Sequence, residues 1–363
     1  MSHHMFSEDE LVRVIQRTVK SRGRVRLGIG DDAAVLRDGT VITTDAYAEG
    51  VHFDLSYMTL RQVGERCACG AISDVVAMAA EPEAVFVSLS LPRRARSHAS
   101  RALRQSRVLS VKEQVIQLYS GIESVCAKLG CEVAGGDTIV ADQLLLALTV
   151  TGRTRAPRLR SGARPGDRLY VTGHVGSAEA GRLVLADELR CQKPETRSQN
   201  PEGGRRMADG RWRAAKGDWR LPLVNRHLCP LPRLTVARAL KSRLHGLIDT
   251  SDGLATDARH LSDTSKVRIV LDADALPVLP AVKRYCAERA WDPLDFVLGA
   301  GEDYELLFSG RRPMPSTESG VKITEIGSVD RGQGLWIRRD GGILPVTATG
   351  YDHLSVDHTG KTC

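Results

Sequence analysis

The chain has 363 residues, of which 42% are hydrophobic and 26% charged, the composition of a globular protein with room for two domains. No apolar run approaches the ~20 residues of a membrane span, and a net charge of +7 with 4% aromatic residues gives little support to nucleic-acid binding. The eight cysteines contain no C-x-x-C pair, which argues against a zinc site or disulfide framework and favours a reducing, cytoplasmic environment.

The first predicted elements are a helix and an acidic hairpin. The helix begins at the capping box Ser7-x-x-Glu10, and apolar residues follow it at helical spacing. Two strands are predicted over 33–36 and 40–44, joined by the turn pair Asp38-Gly39. The hairpin therefore places its polar residues on two neighbouring strands.

Three aspartates stand on this hairpin: Asp31, Asp32 and Asp45. Two unit charges about 4 Å apart repel by roughly 4 kcal/mol at an effective dielectric near 20. Buried carboxylates must be paired or coordinate a metal, and a hard divalent cation with oxygen ligands is the economical neutraliser. A solvated acidic turn is the simpler interpretation of one Asp-Asp pair alone, so the rest of the chain decides between the two.

Helices and strands then alternate up to residue 151. The predicted elements are a helix over 59–80, a strand over 84–91, a long helix over about 97–129, a short strand over 132–134 and a strand over 144–151. Asp74 lies in the first of these helices among apolar neighbours, where it is either a buried hydrogen-bonded group or a metal ligand. Gly135-Gly136-Asp137 follows the short strand, and its glycines would let the backbone approach a ligand.

A stretch rich in arginine and proline, residues 152–165, separates two predicted domains, 1–152 and 153–363. The second domain is predicted as α/β, with a flexible insertion at 187–220 where no hydrophobic period is found. A second acidic turn runs from Asp249 to Leu254. A glycine turn at 299–303 is predicted to lead into a strand over 304–308.

The acidic positions form a pattern when they are taken together. Seven aspartates are predicted at strand ends or turns: Asp31, Asp32, Asp45, Asp74, Asp137, Asp249 and Asp252. In one cleft they would hold several Mg²⁺ ions, an arrangement that suits phosphoryl transfer. The chain contains neither a P-loop nor the protein-kinase motifs, so nucleotide binding would run through carboxylates and metal, with Arg160 as a supplementary clamp.

The ordered motifs resemble those of the thiamine-monophosphate kinase family. The motifs are GIGDDAAVL, TTDAYAEGVHF, ISDVVAMAAEP, GGDT, RSGARPGD, VTGHVGSAEAG, DTSDGL and GAGEDYELLF, spread over about residues 25–355. The resemblance implies a mixed α/β (α+β) synthetase-superfamily fold of two domains, the N-terminal sheet with its helices pairing across a homodimer. It also implies ATP-dependent phosphorylation of thiamine monophosphate to thiamine diphosphate by direct in-line transfer.

The resemblance assigns roles to individual positions. Metal binding falls on Asp32, Thr43, Thr44, Asp45, Asp74, Asp137, Asp249 and Asp252. Catalysis falls on Asp45, Asp74 and Asp137, and ATP binding on Gly136, Asp137, Arg160 and Ser251. His52 and Glu302 are expected to contact thiamine monophosphate.

Three departures from the family pattern bear on this interpretation. Ala71 stands where the family often has asparagine, residues 187–220 are longer than usual, and no aromatic residue occupies the Ala348/Thr349 region. The last departure affects substrate stacking rather than the metal site. The alternatives are another ATP-using synthetase of the superfamily and a catalytically silent nucleotide-binding protein. Selenophosphate synthetase is disfavoured because no cysteine precedes Cys67.

Overall fold

A computed structural model describes residues 8–20, 23–92, 109–191, 205–206, 212–213, 217–348 and 350. The predicted capping serine, Ser7, lies outside the described residues, as does most of the 187–220 segment. Thr349 lies outside them too.

The described residues of the N-terminal part, up to residue 153, form three helices and six strands. In chain order they are α1 (Glu8–Thr18), β1 (Val25–Leu27), β2 (Ala34–Leu36), β3 (Thr40–Ala48), α2 (Leu60–Ala77), β4 (Glu81–Pro92), α3 (Val111–Leu129), β5 (Glu132–Ala141) and β6 (Leu145–Arg153). The strands form one sheet in the order β1-β2-β3-β6-β4-β5, in which only β4 and β5 run parallel.

The two faces of this first sheet differ in burial. Alternate residues of β3, β4 and β6, such as Val41, Val87 and Leu148, are fully buried, and α2 packs against these three strands. The intervening residues point to the other side, which we call the open face. It is defined here by Thr44, Ala46, Phe86, Ser88, Asp137 and Thr149. Phe86 keeps 39% of its surface exposed there.

The remainder of the chain builds a second, larger sheet. Its elements are β7 (Arg168–Thr172), α4 (Ser177–Cys191), the short pair β8 (Arg205–Arg206) and β9 (Trp212–Arg213), α5 (Leu221–Leu228), α6 (Leu234–Leu240), β10 (Leu247–Asp249), α7 (Leu254–Ser265), β11 (Arg268–Asp272), α8 (Pro280–Ala287), α9 (Pro293–Gly299), β12 (Leu306–Gly310), β13 (Thr317–Glu318), β14 (Val321–Asp330), β15 (Gly334–Arg339) and β16 (Gly342–Pro345). The strand order of this sheet is β10-β12-β7-β14-β11-β15-β16, β13 pairs with β14, and β8 and β9 form a separate two-stranded sheet. No helix among the described residues is long and apolar enough to cross a bilayer.

Four predicted boundaries need correction. The helix that ends at Leu129 begins at Val111, because Ser110 has an extended backbone and caps α3 through the amide of Glu113; most of the predicted segment before it lies outside the described residues. The short strand at 132–134 continues to Ala141, so Asp137 lies within a strand rather than at its end. Residues 304–305 precede β12, since Tyr304 has a φ of +49° and cannot join the pleated strand. The predicted 187–220 insertion also begins later than expected, because α4 continues to Cys191.

Helix α2 joins the two parts of the molecule. Its glycine at 64 lies against α3, where a Cβ atom would come within 2.1 Å of the Leu118 carbonyl oxygen. The last turns of α2 pack against β10 of the second sheet. The cleft between the parts is thus lined by α2, by β3 and by the loop after β10.

A candidate metal and phosphoryl-transfer site

Three carboxylates from three separate elements meet in this cleft. Asp32 precedes β2, Asp74 lies near the end of α2, and Asp249 ends β10; one oxygen of each lies within 4.8 Å of the others. We call these three residues the carboxylate cluster. Each is wholly or partly buried. The fold therefore brings together three of the seven aspartates that the sequence analysis grouped.

Each carboxylate of the cluster has one oxygen held by a neighbouring donor. The Arg160 guanidinium donates to Asp32 Oδ1 over 2.6 and 3.0 Å, and the Thr43 hydroxyl donates to Asp74 Oδ2 over 2.7 Å. Ser73 Oγ donates to Asp249 Oδ2 over 2.6 Å. The second oxygens of Asp32 and Asp249 are buried and have no hydrogen-bond partner among the described residues. These unpaired buried oxygens fit a hard divalent cation such as Mg²⁺.

Burial and mutual repulsion shift the acidity of these groups. Burial, with the Asp32 charge adding to it, raises the pKa of Asp249 to about 8. The same two causes raise the pKa of Asp31 to about 7. Burial and the charges of Asp45 and Asp249 raise the pKa of Asp74 well above its ordinary value. Without a cation, the site therefore retains protons near neutral pH.

This retention of protons predicts how metal-free stability depends on pH. The unfolded chain releases the Asp249 proton near pH 3.8, whereas the folded chain keeps it until about pH 8. The free energy of unfolding should therefore fall as pH rises toward 8 in the presence of EDTA. Burial lowers the pKa of His227, so protonation of this histidine in the unfolded chain lowers the free energy of unfolding only in more acidic solution. The effect of Asp249 is therefore measured best between about pH 7 and 8.

Thermal melts at several pH values, with EDTA and with Mg²⁺, measure this effect. We expect the gap between the two melting temperatures to widen with pH, because metal binding must displace protons. The Asp249→Asn variant is the control, and its metal-free melting temperature should depend less on pH. A gap that narrows as pH rises contradicts the account.

Strand β3 places two predicted ligands on the cluster side of the first sheet. Thr43 and Asp45 point toward α2, and Tyr47 donates to Asp45 Oδ2 over 3.0 Å. Thr44 has the opposite orientation, and its hydroxyl lies 2.7 Å from that of Thr149 on the open face. The side chain of Thr44 therefore does not face the cluster, which leaves only its backbone oxygen for a role there.

Gly136 and Asp137 lie away from the cluster of their own chain. Across the sheet, Asp137 aligns with Ser88, Ala147 and Ala46, so three strand spacings, about 14 Å, separate it from β3. It is exposed on the open face, opposite to Asp45. At Gly136 (φ +151°), a Cβ atom would lie 1.9 Å from the Val87 carbonyl oxygen, so this glycine serves strand pairing.

The turn after β10 supplies the predicted residues Ser251 and Asp252. Glu302 donates its backbone N–H to the Ser251 carbonyl over 2.7 Å, which ties this turn to the 299–303 turn. The charge of Asp252 acts on the buried Asp249 and Asp257. Asp257 accepts a hydrogen bond from the Gly253 N–H over 3.1 Å and so fixes the start of α7.

The two predicted substrate residues lie at one end of the cleft. The His52 Nδ1 atom accepts the Ala48 N–H over 3.1 Å, which leaves Nε2–H as the donor of the neutral ring. Glu302 pairs with the buried Arg66 over 2.5 Å and has a φ of +64°. Tyr47 packs edge-on against His52. Its hydroxyl lies above Gly70, next to that of Tyr304. His52 and Glu302 thus border the same tyrosine pair.

Four supporting residues were not predicted from the sequence: Tyr47, Arg66, Ser73 and Asp257. Each touches a predicted residue from a buried position. Only Ser73 and Asp257 had a local signal, since one precedes Asp74 and the other is an acid in the first turn of a helix.

Comparison with known proteins agrees with this fold. Residues 30–154 match the family model described as AIR synthase related protein, N-terminal domain. The thiamine-monophosphate kinase of Aquifex aeolicus is 30% identical over 330 residues, covering 90% of this chain and 92% of the relative. That of Salmonella typhimurium is 32% identical over 95% of this chain and 97% of its own length. The solved structure of AaThiL complexed with AMPPCP and TMP superposes with a TM-score of 0.76 at 30% identity, over 97% of this chain and 99% of that chain.

The fold and the acidic cleft define an enzyme of the AIR-synthase-related class. Within that class, the relatives that match at 30–32% identity over nearly their full length are thiamine-monophosphate kinases. The chain belongs to the thiamine-monophosphate kinase family and is a phosphotransferase.

Proposed function

We propose that this chain phosphorylates thiamine monophosphate to thiamine diphosphate, with ATP as donor, by direct in-line transfer assisted by several Mg²⁺ ions. The observation that carries the proposal is the carboxylate cluster, in which buried oxygens of Asp32 and Asp249 have no partner among the described residues. Bound Mg²⁺ would supply charge neutralisation on the transferred phosphoryl group. Support for the two substrates comes from the AaThiL structure complexed with AMPPCP and TMP.

The remaining residues have binding and orienting roles in this proposal. Arg160, already fixed on Asp32, presents its partly exposed guanidinium to the triphosphate, and Ser251 contacts the nucleotide from the turn after β10. His52 and Glu302 hold thiamine monophosphate at the other end of the cleft. A general base is not required, because the attacking phosphate oxygen is already ionised at neutral pH.

Because of the position of Asp137, the proposal includes a homodimer. Asp137 cannot reach the cluster of its own chain, since it lies on the opposite face of the sheet and about 14 Å from β3. The open face, with Phe86 39% exposed, is suited to pairing with a second copy. In such a dimer Gly136 and Asp137 would serve the ATP site of the other copy.

The proposal also includes the division of the chain into two domains and a cytoplasmic location of the enzyme. A boundary at 152/153 is supported by the two sheets, which share no strand among the described residues. A cytoplasmic enzyme is supported by the cysteines that the structure describes, which are all free thiols. The flexible character of the 187–220 insertion stays a prediction.

A direct assay tests the proposed reaction. Purified protein is incubated with thiamine monophosphate, ATP and Mg²⁺, and ADP and thiamine diphosphate are separated by chromatography. Equal amounts of the two products, abolished by EDTA, are expected. ADP without thiamine diphosphate would indicate a related synthetase with another acceptor, and neither product would indicate a silent nucleotide-binding protein.

His52→Ala should weaken thiamine monophosphate binding more than catalysis. The variant loses the Nε2–H donor, and removing one hydrogen bond to a charged group costs about 1.5–3 kcal/mol, or roughly 10- to 150-fold in KM. Steady-state kinetics at saturating ATP measures it. The matched control is His245→Gln, because the His245 ring pairs with Asp167 and is not one of the predicted substrate residues. An unchanged KM in His52→Ala refutes the assigned contact.

A further inference from the structure

Ser73 connects the two parts of the molecule at the carboxylate cluster. It lies on α2, next to Asp74, and its hydroxyl donates to Asp249 Oδ2 on β10 over 2.6 Å. Both residues are only 1% exposed. The contact joins positions 176 residues apart in the sequence. Water therefore cannot replace the serine as a donor without a rearrangement of the packed helix.

This hydrogen bond determines the orientation of the other oxygen of the Asp249 carboxylate. With Oδ2 held by Ser73, the plane of the Asp249 carboxylate is fixed and Oδ1 is left buried, without a partner among the described residues. Asp32 and Asp74 place their ligand oxygens within 4.8 Å of Asp249. Donors that hold one oxygen of a metal-binding carboxylate orient the other toward the ion.

Ser73 differs from the donors that fix the other two carboxylates. Thr43 lies in the same part of the chain as Asp74. Arg160 reaches Asp32 with a partly exposed side chain, which is therefore also available to a nucleotide. Ser73 is fully buried and has only its hydroxyl to offer. Its contact with Asp249 forms only when α2 and β10 are packed together.

We propose that Ser73 is a positioning residue that orients Asp249 for divalent-metal binding and so makes metal affinity depend on the packing of α2 against β10. The proposal rests on the metal site of the proposed function. Metal binding is measured without ATP or thiamine monophosphate. The measured metal affinity therefore does not depend on whether thiamine monophosphate is the phosphate acceptor. Loss of such an orienting donor typically lowers metal affinity about 10- to 100-fold.

The test is a titration of the full-length protein with Mn²⁺, followed by electron paramagnetic resonance of the free ion. Ser73→Ala should raise the Mn²⁺ dissociation constant about 10- to 100-fold, and Ser73→Thr, which keeps a hydroxyl, should recover most of the affinity. Ser262→Ala is the matched control, because Ser262 is equally buried but donates to the Val267 carbonyl oxygen. Its dissociation constant should stay at the wild-type value.

Two outcomes would overturn the proposal. The first is a folded Ser73→Ala protein with wild-type Mn²⁺ affinity, and the second is an equal loss of affinity in Ser262→Ala. If circular dichroism shows that Ser73→Ala is unfolded, Ser73→Cys replaces it, since the thiol has a similar size and is a weak donor. Because a thiol donates a weaker hydrogen bond than a hydroxyl, Ser73→Cys should bind Mn²⁺ less tightly than Ser73→Thr, and equal affinity of the two variants contradicts the orienting role.

Discussion

Replacement of Asp45 or Asp74 by asparagine is expected to lower kcat by at least about 10³-fold, because bound metal contributes several kcal/mol to transition-state stabilisation. Asparagine keeps the shape of the side chain but removes the charge. The fold should survive, since burial already raises the pKa of both carboxyls and the neutral form suits the metal-free protein. Rapid-quench assays at saturating substrates measure kcat.

The control for these variants is Asp142→Asn. Asp142 is exposed in the loop between β5 and β6, so loss of its charge should leave kcat unchanged. Circular dichroism melts show whether each variant is folded. Retained turnover in both Asp45→Asn and Asp74→Asn would contradict the metal-cluster mechanism.

A mixture of two inactive variants should regain activity if Asp137 serves a second copy. Asp45→Asn and Asp137→Asn are each expected to be inactive alone. In a mixed dimer, one site combines the intact Asp45 of one copy with the intact Asp137 of the other. After random exchange of subunits, half of the dimers are mixed and each has one working site, so about one quarter of wild-type activity is expected.

The mixing result separates two arrangements. If Asp137 acted within its own chain, the mixture would stay inactive whatever the ratio of the variants. A mixture of Asp45→Asn with Asp74→Asn is the control, because both residues lie on the same side of one chain's cleft and no mixed site is complete. Recovery in that control would contradict the two-copy site.

The sequence predicted the elements that depend on local patterns. The hairpin turn at Asp38-Gly39 is confirmed, with a φ of +88° at the glycine. The predicted end of the long helix at 129 is confirmed, since α3 ends at Leu129 and Gly130 follows it in the left-handed conformation. Strand β3 runs four residues past the predicted end because Asp45 and Tyr47 continue the alternation of inward-facing residues. A carboxylate in that alternation looks like an end of the strand unless its buried partner is known.

Contacts between distant segments could not be predicted from the pattern. Ser73 with Asp249 and Arg66 with Glu302 join residues far apart in sequence, and no local pattern identifies the partner of either Ser73 or Arg66. The placement of Asp45 and Asp137 at strand ends or turns was wrong, because β3 and β5 extend beyond their predicted ends and both aspartates lie within the strands. Asp74 lies within α2, in agreement with the predicted helix over 59–80.

A crystal grown with Mn²⁺ and AMPPCP tests the metal-cluster site most directly. Anomalous scattering at the manganese edge locates each ion independently of the protein model. We expect anomalous peaks within bonding distance of carboxylate oxygens of Asp32, Asp74 and Asp249, and phosphate oxygens on the open side of those ions. Peaks elsewhere, with the carboxylate cluster empty beside a bound nucleotide, would contradict this account.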